Sequence, residues 1–155
     1  MSNDVMKFEE AEWAEIELLP VAVFYYVANA DDQVADVEIT TFRETWGPNA
    51  VAEKYSDDKY FDMFMKEMFK RATGNEYSKL LDVVKGYSKP DFKRLFVKVR
   101  RLLEKLSPEE SNAILTQIVL LAKEVSESHR QHVRKVSKKE QQAIADIQLY
   151  LQQKN

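Results

Sequence analysis

The chain has no cysteine, which excludes disulfides, cysteine-ligated zinc, iron–sulfur clusters and thiol nucleophiles. Three glycines and four prolines in 155 residues leave few tight turns, so a β-sandwich or barrel is disfavoured. Only two histidines occur, which leaves little for a histidine-based acid–base system. The longest apolar run, Leu18 to Ala30, covers 13 residues, interrupted only by Asn29, and contains Pro20, whereas a membrane span needs about 20. Five glutamates (Glu9, Glu10, Glu12, Glu15 and Glu17) precede it where a secretory signal would be basic. The expectation is a cytoplasmic protein with no membrane insertion. No glycine-rich phosphate loop, nucleophile elbow or His-Glu metalloprotease motif is present, so the chain is expected not to be an enzyme.

What remains is ordinary globular material, 45% hydrophobic and 32% charged, of a length that fits one domain over residues 1–155. The net charge of −3 is unevenly spread. Residues 1–46 hold 11 acids and 2 bases; residues 47–155 hold 15 acids and 21 bases. An acidic end and a basic end could orient partners, although a mixed solvated surface explains the same counts.

Helical periodicity dominates. Phe61, Phe64, Met65, Met68 and Phe69 recur as a core-facing stripe that Gly74-Asn75 should stop. A short helix over 76–85 turns Leu80, Leu81 and Val84 inward and ends at Gly86. A helix from near Pro90 puts Phe92, Leu95, Phe96, Val99, Leu102, Leu103 and Leu106 on one face. Ser107-Pro108-Glu109-Glu110 reads as a capping box opening a helix through Ile114, Ile118, Leu121 and Ala122. Residues 127–135 read as loop or frayed helix. Ser137-Lys138-Lys139-Glu140 is a second capping box, with Ile144, Ile147 and Leu151 inward behind it. Near the N-terminus, a helix over about 8–29 becomes apolar all round, the mark of a central element, and Pro20 either kinks it or starts it. A second helix is predicted over 36–46, ended by Gly47-Pro48. The fold class is all-α: a compact bundle of six or seven helices.

Two stretches are alike. Leu18 to Ala30 is an apolar helix, followed by a polar turn and Val34-Ala35-Asp36-Val37-Glu38. Ile114 to Ala122 is another, followed by a longer turn and Val136-Ser137-Lys138-Lys139-Glu140. In each, the glutamate falls at the third helical position, where it can accept the N-cap amide. On these residues the chain resembles the tellurite-resistance TerB-like family. That family's hallmark is an apolar helix ending Ala-x-Ala-Asp-Gly, then a hydrophobic residue, a Ser cap and a Glu. Ala28-Asn29-Ala30-Asp31, Val34 and Glu38 match it. Asp32 stands in place of the glycine and Ala35 in place of the serine, with Asp36 able to compensate; the second half keeps Ser137 and Glu140 but lacks the aspartate. The middle, 47–106, carries no matching motif. The resemblance implies two pseudo-repeated helix-turn-helix halves. It also implies a bacterial stress-response or tellurite-resistance role as a metal-responsive or partner-binding adaptor, working through the acidic turn.

Three sets of residues could carry function. Asp31, Asp32, Asp36 and Glu38 place four carboxylates within eight positions, an oxygen-rich turn suited to calcium or magnesium. The same residues can equally end one helix and cap the next, and the spacing is not that of an EF-hand. His129 and His132 would share a helical face and could ligate zinc or nickel, or stand idle in solvent. Arg130, Arg134, Lys135, Lys138 and Lys139 form an acid-free basic stretch within 128–139. The helix over 89–105 adds seven bases against two acids. Together these faces could bind an acidic protein partner and, less readily, nucleic acid, since no nucleic-acid motif accompanies them. A groove between the helices carrying Tyr25, Tyr26 and Trp46 is a further candidate, although such aromatics also serve as core.

Overall fold

The computed structural model describes residues 8–30, 42–52, 54–55, 57, 59–129 and 138–152. Every regular element among them is helical, so the protein is all-α as expected. Helix α1 spans Glu10–Ile16 and α2 spans Leu18–Ala28, with Glu17 alone between them. Proline fixes this break. The Pro20 ring has no N–H to donate and would clash with the carbonyl four residues back, that of Ile16, where α1 stops. Counting α1 and α2 as one interrupted helix, seven helices occur among the described residues.

The next described element after α2 is a π-helical turn, Phe42–Trp46, which leads directly into α3, Gly47–Ala52. Gly47-Pro48 therefore opens a helix rather than ending one. Proline in the first turn loses no hydrogen bond and brings a helical φ with it. The part of the predicted second helix before Phe42 lies outside the described residues. Phe42 is buried, stacked on Phe24 at 4.6 Å and on Tyr77 at 5.9 Å, so this segment is pinned to the core by its rings.

Helix α4, Lys59–Thr73, buries the whole predicted stripe, and Gly74 follows it. A Cβ at Gly74 would lie 2.8 Å from the Lys70 carbonyl oxygen, so only glycine fits that stop. Helix α5, Tyr77–Lys85, and helix α6, Lys89–Leu102, follow the sequence pattern closely. Ser88 caps α6: its amide donates to Asp91 Oδ2 at 2.8 Å and its hydroxyl accepts from the Asp91 amide. A short 3-10 turn, Leu103–Lys105, precedes α7, Pro108–His129. The predicted cap of α7 forms, with Ser107 N donating to Glu110 Oε1 at 3.1 Å and Glu110 N donating to Ser107 Oγ at 3.2 Å.

Helix α7 continues through His129, so of the two readings of residues 127–129, loop or frayed helix, the helical one holds. After Pro108 the chain contains no glycine or proline. A helix that is already nucleated and packed extends at one hydrogen bond per residue until something stops it. Helix α8, Lys138–Gln152, completes the described chain, with Glu140, Ala143, Ile147 and Leu151 buried.

Helix α2 is the hub. Nine of its eleven residues are buried, all but Tyr25 and Tyr26, and it contacts α1, α4, α5, α6, α7 and α8. A helix with apolar residues on every side has no solvent face to present, so its neighbours must surround it. Its packing against α7 joins the two apolar helices of the half-repeat. Buried side chains from Phe8 to Leu151 form one continuous cluster. No helix among the described residues is long and apolar enough to cross a membrane.

Candidate functional site

Where α2 ends, it meets the first turns of α6 and α8, and the three leave an open groove of about 460 Å³. Tyr25, Tyr26, Asn29 and Ala30 come from α2 and the residues just after it. Tyr87, Lys89 and Phe92 come from the entry to α6, and Lys139, Gln142, Ala143 and Asp146 from α8. That volume lies within the ordinary range of small-ligand sites.

The groove is stiffened from beneath. The Tyr26 hydroxyl donates to Asp146 Oδ2 at 2.9 Å, and Gln142 Nε2 donates to Asp146 Oδ1 at 2.9 Å. Lys89 Nζ lies 3.6 Å from the same carboxylate, which is only 13% exposed. Tyr26 meets Phe92 edge-on at 5.0 Å and Phe96 at 5.9 Å, while Tyr87 meets Phe92 at 5.2 Å. These T-shaped contacts fix the ring orientations. Burial, reinforced by its bond to Asp146, pushes the Tyr26 hydroxyl above its ordinary range, and burial pushes Tyr87 up as well. The Tyr26 hydroxyl therefore stays protonated and serves as the donor to Asp146.

A second cleft, about 520 Å³, lies between α1 and α4. Its centre is Arg71. The guanidinium donates to Glu67 at 2.7 Å and to both Glu10 oxygens at 3.2 and 3.3 Å, lies 3.7 Å from Glu17, and stacks 4.7 Å over the Trp13 ring. A cation already occupies the place between these carboxylates, and the arrangement ties α1 to α4.

The predicted site residues are distributed unequally. Lys139 lines the groove, and Lys138 is exposed beside it on α8. Arg130, Arg134, Lys135 and His132 lie outside the described residues, as do Asp31, Asp32, Asp36 and Glu38, and the side chain of His129 is likewise outside them. Ala30, on the groove wall, is the residue before Asp31 in the chain. Among the described residues no group of three or more His, Asp or Glu could hold a metal ion.

The basic face over 89–105 is not a single open surface. Lys98 Nζ lies 3.0 Å from Glu15, and Lys105 Nζ 2.6 Å from Glu12, so α1 covers its far end. Lys93 lies over the Tyr150 ring at 5.7 Å, and Arg94 pairs with Asp91. The aromatic groove does include Tyr25 and Tyr26, but its other walls are α6 and α8, and the side chain of Trp46 lies outside the described residues. Sequence reasoning missed Tyr87, Lys89, Phe92, Gln142 and Asp146 as groove residues. The Tyr26–Asp146 bond spans 120 positions and has no local signature. Set against known proteins, the chain matches no family model, no curated protein and no solved structure.

Proposed function

We propose that this protein is a non-catalytic helical adaptor, a stress-response protein of the TerB-like kind, which binds a protein partner in the groove at the end of α2. The observation that carries this reading is the groove itself: rings held edge-on by one another, over a carboxylate whose oxygens already have their donors. Such a surface binds by shape and contact. Among its described lining residues, Tyr26 is held as a donor to Asp146 and there is no histidine, the side chain best suited to proton transfer near neutral pH. The sequence resemblance adds the acidic turn of Asp31, Asp32, Asp36 and Glu38, which would make binding responsive to calcium or magnesium.

Two experiments test the reading. A photo-crosslinking residue placed at Lys138, beside the groove, should capture a discrete partner in the cells of origin; the same group at Lys79 on α5 should not. Capture that is equal from both positions, or that survives Tyr25→Glu unchanged, would defeat the groove as the partner site. Calorimetric titration of chelator-stripped protein with calcium and magnesium tests the metal-responsive half. Binding should be lost in Asp31→Asn/Glu38→Gln, and heats identical to buffer dilution would reduce those carboxylates to helix caps.

A further inference from the structure

We draw no further inference here: the strongest candidate, the aromatic groove between the end of α2 and the starts of α6 and α8, is the site already described, and nothing in the structure shows the chemistry of what covers it, since Lys89 pairs with Asp146, Asp91 and Glu140 stand in the first turns of α6 and α8, and the acidic residues that follow Ala30 lie outside the described residues.

Discussion

The two ends of helix α6 carry the same kind of charge and meet different fates. At its far end, Lys98 and, just beyond, Lys105 lie against Glu15 and Glu12 of α1, and the surface there is closed by an acidic helix. At its start, Lys89 lies 3.6 Å from Asp146 and borders an open groove that Lys139 also lines. A basic face read from sequence is therefore two surfaces, one laid against the acids of α1 and one bordering a groove. The difference comes from what packs alongside. Helix α1 docks because Trp13 and Ile16 are buried, Trp13 against Phe8 and Phe64, and its glutamates arrive as a consequence.

That account can be broken at its strongest point. Trp13→Ala should cost about 3–5 kcal/mol, read from urea unfolding, because it empties a fully buried site and removes the ring beneath Arg71. A loss of under about 1 kcal/mol would mean that the ion pairs, and not the rings, hold α1 in place. At the groove end, Tyr26→Phe should cost about 1–3 kcal/mol, since it strips a donor from a mostly buried carboxylate. It should also reduce partner capture by the photo-crosslinking residue at Lys138. Lys98→Ala should cost less than about 1 kcal/mol, diminishing with salt, and should leave groove binding unchanged.

The smallest effect concerns acid. Burial pushes the Glu17 carboxyl above its ordinary range despite Arg71 nearby. Its charge therefore weighs against the fold at neutral pH, and that penalty is relieved as pH falls through the raised folded value toward the ordinary carboxylate range near about pH 4. Asp91, at the groove end, has the opposite sign. The Ser88 amide and hydroxyl hold its carboxyl below the usual range. Its contribution is present above the ordinary value and is lost as pH falls below it. Melting temperatures measured from neutral pH to about pH 3 should show Glu17→Gln equal to or above wild type at neutral pH, with the difference closing on acidification. Asp91→Asn should lie below wild type at neutral pH, with that deficit closing only at the acid end. Parallel curves for both variants would show that neither carboxyl is perturbed by its surroundings.

Much of this fold was readable from local chemistry. The stripe over Phe61 to Phe69, the cap at Ser107 and Glu110, the stop at Gly74 and the all-round burial of α2 follow from spacings of three and four residues or from a single side chain's conformational limits. The ambiguous signals were local as well. Gly47-Pro48 carries a signal that suits a helix start as well as a helix end, and the polar stretch over 127–129 lacks a breaker as surely as it lacks a pattern. The site is of another kind. Lys139 and the tyrosine pair were visible as residues, but not as neighbours, and the TerB-like resemblance points to a turn that lies beyond the described residues.

The sequence by itself determined that the protein is helical, where most of its helices start and stop, and which helix lies at the centre, because hydrogen bonds and amphipathic faces within a helix depend on residues a turn apart. Only the tertiary structure decided which lysines are spent on α1 and which border a groove, and that Tyr26 would find Asp146 from 120 positions away. Those outcomes depend on how the buried faces of α1, α2, α6 and α8 pack together, and packing sets the neighbours of a surface charge without leaving a mark on its own stretch of chain.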